Sequence, residues 1–216
     1  DEQIAAVFWA MASAPRHTFQ VLTKRTERAA EWFKWIEGQG ESVMGPIDAC
    51  TIMAGNYAEV SPAPSGTPWP LPNVWLVASA EDQATADERI PELLRCPAAV
   101  RGVSYEPALE AVDFSRWLPS LNWLATGGES GPRARDCNLA WLRGAVAQAR
   151  RANVPVFVKQ LGARPLYVPA EWPDEVPADQ AGNTDRMHWP LSRRDKKGGD
   201  MAEWPEDLRV REFPDA

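Results

Sequence analysis

Five short apolar runs recur along this chain, and they constrain its fold more than any other feature. They cover residues 18–22, 74–79, 100–104, 123–126 and 154–158. Each run is rich in Val, Leu, Phe or Trp and does not alternate cleanly with polar residues. This pattern is typical of strands that are covered on both faces, as in a parallel sheet. We therefore predict five parallel strands.

Helical patterns lie before and between these runs. Residues able to cap or open a helix are Asp1, Thr26, Thr85 and Asn138, each just before an amphipathic segment. Helix and strand thus alternate along the chain, which predicts an α/β fold with a parallel sheet and helices packed outside it.

For two of these helices the sequence allows more detailed predictions. In the first helix, Ile4, Val7, Phe8 and Met11 recur at helical spacing and form the predicted buried stripe. In the third, Pro91 is expected to interrupt the helix because it lacks a backbone N–H.

The remaining segments set the predicted domain organisation. Residues 38–72 contain Gly, Pro and Ser clusters and are too long for a simple connection, so they indicate an excursion or a flexible loop. Residues 164–216 show no clear period and are rich in Pro, Trp and charge. We predict an α/β domain over residues 1–163 and an irregular Pro/Trp-rich C-terminal tail that packs on it.

The composition limits the classes of protein to which the chain can belong. Its net charge of −7 and isoelectric point near 5.0 argue against a broad surface for nucleic acid or anionic membranes. Cys50, Cys96 and Cys137 are far apart, as are His17 and His188, so the sequence has no zinc or iron–sulfur motif. The sparse cysteines and the lack of an apolar run of about 20 residues predict a cytoplasmic protein.

Polar residues directly follow each predicted strand. The carboxyl ends of parallel strands meet at one edge of a sheet, where α/β proteins build their sites, so these residues are expected to converge. They are Lys24 and Arg25 after the first strand, Glu81 after the second, Glu106 after the third, Gly127, Gly128, Glu129, Ser130 and Arg133 after the fourth, and Lys159 after the fifth.

These features also have ordinary structural interpretations. A single charge at a strand end is more often a solvated loop residue or a helix cap than part of a site. The glycine-rich loop fits a tight turn as well as an anion-binding nest, and it matches neither a Walker A sequence nor Gly-x-Gly-x-x-Gly. A structural role is favoured for His17, and a bystander thiol for Cys137. Because neither histidine lies at a strand's carboxyl end, no Ser-His-Asp triad can be argued.

Seven motifs occur in order and carry a family resemblance. They are His17-Thr-Phe-Gln-Val-Leu-Thr-Lys-Arg25, Asn73-Val-Trp-Leu, Ala80-Glu-Asp-Gln83, Asp87-Glu-Arg-Ile-Pro91, Ser104-Tyr-Glu-Pro107, Gly127-Gly-Glu-Ser-Gly131 and Val156-Phe-Val-Lys-Gln160. Over roughly residues 1–163 the set resembles a family of phage-associated and bacterial proteins of unknown function, which is related to radical S-adenosylmethionine enzymes.

The resemblance implies a partial (β/α) barrel, in which the five strands are the last five of eight. In that family an earlier part carries three closely spaced cysteines that hold an iron–sulfur cluster. This chain has no such triplet, so cluster ligands are absent from it.

The resemblance also implies a function: the chain would be the substrate- and cofactor-facing part of a radical S-adenosylmethionine-like enzyme. Carboxylates would accept hydrogen bonds from the amine or ribose hydroxyls of S-adenosylmethionine. The implied cofactor-binding residues are Glu81, Glu106, Gly127, Gly128, Glu129 and Ser130. The residues implied to meet a carboxylate or phosphate of the substrate are Lys24, Arg25, Arg133 and Lys159.

Two other functions stay open. Open sheet edges and the Pro/Trp-rich tail fit a non-catalytic binding or assembly module. The phage association suggests nucleic-acid modification, although the acidity of the chain disfavours unaided binding to DNA. A five-stranded piece of a barrel leaves unpaired backbone groups at its edges, so we expect self-association or a partner chain.

Overall fold

Helices and strands alternate in the computed structural model, which describes residues 1–167, 189–190 and 194–215. The helices are α1 (Glu2–Ala12), α2 (Thr26–Gly40), α3 (Pro46–Ala54), α4 (Gln83–Leu94) and α5 (Leu139–Arg151). The strands are β1 (Phe19–Thr23), β2 (Val74–Ser79), β3 (Val100–Tyr105), β4 (Trp123–Gly127), β5 (Cys137–Asn138), β6 (Val156–Gln160), β7 (Pro165–Tyr167) and β8 (Trp189–Pro190). Short 3₁₀ turns cover Leu118–Ser120, Met201–Glu203 and Glu206–Leu208.

Five strands form one parallel sheet in the order β1-β2-β3-β4-β6, with helices flanking it. Every residue of β2 and of β4 is buried, which explains the missing polar alternation in their sequences. The predicted α/β fold with five parallel strands is therefore confirmed. Strand order follows chain order, as in a (β/α) barrel, whereas closure into a barrel stays a prediction. The short strands β5, β7 and β8 form a second sheet.

The described residues divide into two compact units. Unit 1 comprises Asp1–Ser79, Glu88–Val103 and Asp215–Ala216, and unit 2 comprises Ala80–Asp87 and Ser104–Pro214. The division at residue 163 that the sequence suggests stays a prediction.

An aromatic cluster forms much of the core of unit 1. The ring of Phe8 in α1 lies 4.5 Å from Trp32 and 5.5 Å from Phe33, measured between ring centroids. Trp69 lies 5.8 Å from Phe8. Trp32 and Phe33 of α2 are buried.

The predicted buried stripe of α1 is partly wrong. Phe8 and Met11 are buried, but Ile4 and Val7 are 37% and 56% exposed. The helix packs against α3, and the small Ala5 takes part in that buried face instead. The sequence indicated only an excursion where α3 forms, so the partner that sets the orientation of α1 was missing from the prediction.

The prediction that Pro91 interrupts the third helix is wrong, because Pro91 lies inside a continuous α4. Proline removes a single intrahelical hydrogen bond. Ala86, Ile90 and Leu93 are fully buried on either side of it. Burial of these side chains offsets the lost hydrogen bond.

In unit 2, the end of the tail runs along the outer edge of β6. The amide of Val158 donates to the carbonyl of Val210, and the amide of Glu212 donates to the carbonyl of Val156, both at 2.9 Å. The indole of Trp123 donates to the carbonyl of Glu212 at 2.9 Å. The chain itself therefore satisfies backbone groups that an edge strand exposes.

Candidate functional site

Glu81 lies two residues after the end of β2 and is buried, with 8% of its surface exposed. Its amide donates to the hydroxyl of Thr85 at 3.0 Å, and its carbonyl accepts from the amide of Leu109 at 3.0 Å. The turn between β2 and α4 is thus fixed on both sides. A carboxylate is costly to bury unless polar or charged groups surround it, so this position indicates a polar environment at the strand ends of unit 2.

Glu106 directly follows β3 and pairs with Lys159 near the end of β6. Lys159 Nζ lies 2.9 Å from Glu106 Oε2, and the Ser104 hydroxyl donates to Oε1 at 3.4 Å. The Glu106 side chain is only 13% exposed, whereas that of Lys159 is 59% exposed. A Cβ on Gly127 would lie 3.5 Å from Glu106 Oε2, so the end of β4 is adjacent to this carboxylate.

Glu129, in the loop after β4, is held by Arg135. The guanidinium donates to both carboxylate oxygens, at 2.8 and 3.2 Å, and the Arg135 amide donates at 3.0 Å. These hydrogen bonds hold the pKa of Glu129 below its usual value. They also raise the pKa of Arg135, with a smaller contribution from the negative charge of Glu81. Arg135 therefore links two of the three glutamates electrostatically.

The glycines after β4 have a packing role. A Cβ on Gly128 would lie 2.3 Å from the carbonyl oxygen of Leu161. Gly162 has a φ of +85°, and its Cβ would lie 2.8 Å from the carbonyl oxygen of Glu129. The loops after β4 and β6 thus pack backbone to backbone, which only residues without a Cβ allow. Ser130 is exposed in the first of these loops.

The tail supplies a third segment beside these two loops, which we call the tail loop (residues 194–200). The carbonyl of Gly198 accepts from the amide of Leu161 and from the indole of Trp204, both at 2.9 Å. The run of charged residues followed by two glycines predicts a turn, yet nothing in it indicates which strand the turn contacts.

Unit 2 thus brings together most of the predicted site residues. Its strand ends and their loops contain Glu81, Glu106, Gly127, Gly128, Glu129, Ser130, Arg133 and Lys159, together with Arg135. Lys24 and Arg25 belong to unit 1, where they line a cavity of about 530 Å³ with residues of α2 and α4. Their convergence with the glutamates stays a prediction.

The cysteines are isolated and buried. Burial raises the pKa of Cys50 and Cys137 to about 12 and that of Cys96 to about 11, so all three are neutral thiols at physiological pH. In the described ranges, no cluster of three or more His, Cys, Asp or Glu residues could hold a metal ion. His188 lies outside the described residues. Within those ranges, no helix is long and apolar enough to cross a bilayer.

These observations define an α/β protein with a parallel sheet and an ion-paired group of carboxylates at strand ends. Residues 1–200 match the family described as "Protein of unknown function (DUF5131)", and the chain belongs to that family. No curated protein and no solved structure shows a significant match to the chain.

Proposed function

We propose that this chain is the cofactor- and substrate-facing part of a phage-type, radical S-adenosylmethionine-like enzyme. The observation that carries the proposal is the set of carboxylates after three successive strands, Glu81, Glu106 and Glu129. They lie in one compact unit with Arg135 and Lys159. Glu81 and Glu106 are largely covered by protein, and charged side chains are seldom buried unless polar or charged groups surround them.

The three carboxylates suit a ligand that is rich in hydrogen-bond donors. Amine and ribose hydroxyl groups can donate to Glu106 when Lys159, whose side chain is more than half exposed, swings away. Glu81 contributes negative charge from below the surface and favours a cationic group nearby. S-adenosylmethionine carries an amine, two ribose hydroxyls and a sulfonium cation, so the donor set fits it.

The cysteines do not fit an iron–sulfur cluster. Cluster ligands are thiolates brought close together. Cys50 and Cys96 belong to unit 1 and Cys137 to unit 2, and each is a buried neutral thiol. We therefore assign no step of a reaction to these residues. The proposal concerns binding and orientation by the glutamates, Arg135 and Lys159.

Isothermal titration calorimetry with S-adenosylmethionine tests the proposal. We expect saturable binding to the whole chain with a stoichiometry of one. S-adenosylhomocysteine, which lacks the sulfonium charge, is expected to bind more weakly because Glu81 and Glu106 attract a cation. Absence of saturable heat with both compounds contradicts the proposal.

A second candidate, a binding or assembly module, is favoured by the edge strand β1. It is the first strand of the sheet and has β2 as its strand neighbour in the part of the chain that the structure describes. Leu22 in β1 is 59% exposed, and Val7 and Ile4 of α1 are also exposed in unit 1. We propose that a second copy of the chain covers this edge. Light scattering across the micromolar range tests it, and a strictly monomeric species contradicts it.

A further inference from the structure

We propose that unit 1 contains a separate ligand site, a cavity beside β1 that binds an aromatic carboxylate. The cavity is lined by residues of α1, β1, α2 and β2 and has a volume of about 370 Å³. Small-molecule sites commonly measure about 300–1,000 Å³. The lining belongs to unit 1, whereas the glutamates of the proposed function belong to unit 2, so the inference does not rest on that function.

The walls of the cavity are apolar and largely aromatic. The rings of Trp32 and Phe33 lie 5.1 Å apart, and both contact the ring of Phe8. The indole N–H of Trp32 donates to the carbonyl of Asp1 at 3.1 Å, so its one polar atom is already bonded. A planar aromatic ligand suits these walls, because offset and edge-to-face ring contacts add to the burial of apolar surface. The main apolar residues of the lining are Ile4, Phe8, Val21, Trp32, Phe33 and Leu76.

Two apolar residues that line the cavity are also open to solvent. Leu22 is 59% exposed and Ile4 is 37% exposed. Exposed apolar surface around a concavity is typical of a binding site. A ligand with an apolar body removes part of this surface from water, which favours its binding.

One cation of the lining is available to a ligand. Arg28 forms an ion pair with Asp1. Arg25 is exposed, and within the described part of the chain no ion pair includes it. Its amide donates to the hydroxyl of Thr23 at 3.0 Å, which holds its backbone at the end of β1. The cavity therefore combines apolar walls with one unpaired guanidinium.

The carboxylates of this region line a different cavity. Glu27, Glu88 and Glu92 line the cavity of about 530 Å³. Among the described residues, no carboxylate lines the apolar cavity. The charge of Arg25 is therefore not balanced by an acidic residue of the apolar cavity.

A carboxylate is the anionic group that this arrangement favours. The planar guanidinium of arginine can donate two parallel hydrogen bonds to a carboxylate. One unpaired guanidinium matches the single charge of that group, and the mostly apolar lining offers few donors to a more highly charged anion. The ring of the ligand is then expected against Phe8, Trp32 and Phe33, with its carboxylate at Arg25.

Calorimetry of the whole chain with 2-naphthoate and its neutral analogue 2-naphthalenemethanol tests the inference. We expect the carboxylate to bind about tenfold or more tightly than the alcohol. This preference is expected to disappear in Arg25→Gln and to persist in Arg16→Gln, which removes the same charge from an exposed position before β1. Octanoate, an aliphatic carboxylate, is expected to bind more weakly than naphthoate because it makes no ring contacts.

Filling the cavity gives a second measurement. Ala29→Leu places a larger side chain in the lining and is expected to abolish naphthoate binding. Ala147→Leu, at an exposed position of α5 in unit 2, is expected to change the affinity by less than about twofold. If Ala29→Leu misfolds by circular dichroism, the comparison of Arg25→Gln with Arg16→Gln decides, because both side chains are exposed.

Several results overturn the inference. They are absence of naphthoate binding, unchanged binding in a folded Ala29→Leu, an anion preference that survives in Arg25→Gln, and tighter binding of octanoate than of naphthoate. A second copy of the chain is the other possible occupant. If neither naphthoate nor octanoate binds and Ala29→Leu lowers self-association in light scattering, that copy fills the cavity and the inference is wrong.

Discussion

Lys159 Nζ lies 2.9 Å from Glu106 Oε2, and this ion pair joins the end of β6 to the end of β3. Because Glu106 is largely covered and Lys159 is not, the pair has one fixed partner and one that can move. A carboxylate held in this way can exchange its lysine for a ligand cation or donor without reorganising the sheet.

The close packing of the loops after β4 and β6 predicts the effect of a single methyl group. Gly128→Ala is expected to destabilise the protein by about 1–3 kcal/mol, because the new Cβ meets the carbonyl oxygen of Leu161 at 2.3 Å. Gly144→Ala is the matched control. It lies in α5 with open space around a Cβ and is expected to stabilise by about 0.5–1 kcal/mol. Urea unfolding measures both, and equal effects of the two substitutions contradict the packing of the loops.

The pairing of the tail with β6 predicts a local effect of proline. Glu212→Pro removes the amide that donates to the carbonyl of Val156 and is expected to cost about 1–3 kcal/mol. Asp215→Pro changes an exposed residue nearby and is expected to have little effect. Hydrogen exchange of the Val158 amide, which donates to Val210, gives a second measurement. Unchanged stability with slow exchange at Val158 in Glu212→Pro contradicts the role of this pairing.

The pair between Asp207 and Arg143 predicts a pH dependence. Hydrogen bonds from Arg143 lower the pKa of Asp207 in the folded protein. A carboxyl group whose pKa is lower in the folded state than in the unfolded state stabilises the fold at pH values above its unfolded pKa, which is about 3.9. This contribution is lost as the pH falls through the folded pKa. The pair is partly exposed, so its contribution is expected to stay below about 1 kcal/mol.

Asp207→Asn is therefore expected to lower the free energy of unfolding at pH 7, by an amount that shrinks as the pH falls below about 4. Asp215→Asn, which changes an exposed aspartate, serves as the control. Urea titrations at several pH values measure the difference. A constant difference between Asp207→Asn and the original chain across this range contradicts the linkage.

The exposed edge at β1 predicts concentration-dependent association. Leu22→Lys adds a charge to an exposed position of β1 and is expected to shift the chain toward monomer in light scattering. Tyr57→Lys changes another exposed hydrophobic residue of unit 1, outside β1, and is expected to leave association unchanged. Equal behaviour of the two variants contradicts association through β1.

Local sequence patterns predicted the sheet because strand formation depends on short runs of buried residues. The segment 74–79 was predicted with the bounds that β2 has, and the Asn138 side chain accepts from the Ala140 amide at 2.9 Å as a helix cap does. α3 was missed because Gly, Pro and Ser clusters flank its few turns. Because α3 was missed, Ile4 and Val7 were wrongly predicted to be buried. The sequence of a helix alone does not show which of its apolar residues a neighbouring helix will cover.

The candidate site was likewise predictable from the sequence only in part. The carboxylates were predictable because each lies two or three residues after the end of an apolar run. The position of the tail loop was not, because its contacts depend on chain segments far apart in sequence, as in the hydrogen bond between Leu161 and Gly198. Tertiary packing, rather than local preference, decides where such segments lie.

The affinity of Glu106→Gln for S-adenosylmethionine, measured by calorimetry beside the original chain and Glu31→Gln, tests the central claim most directly. Glu31 is an exposed glutamate of α2 and controls for the loss of one negative charge. We predict that Glu106→Gln binds about tenfold or more weakly, because it loses a charge-assisted hydrogen bond, while Glu31→Gln is unchanged. Equal affinity in all three proteins, or no binding to any, contradicts the assignment of this strand edge as the cofactor site.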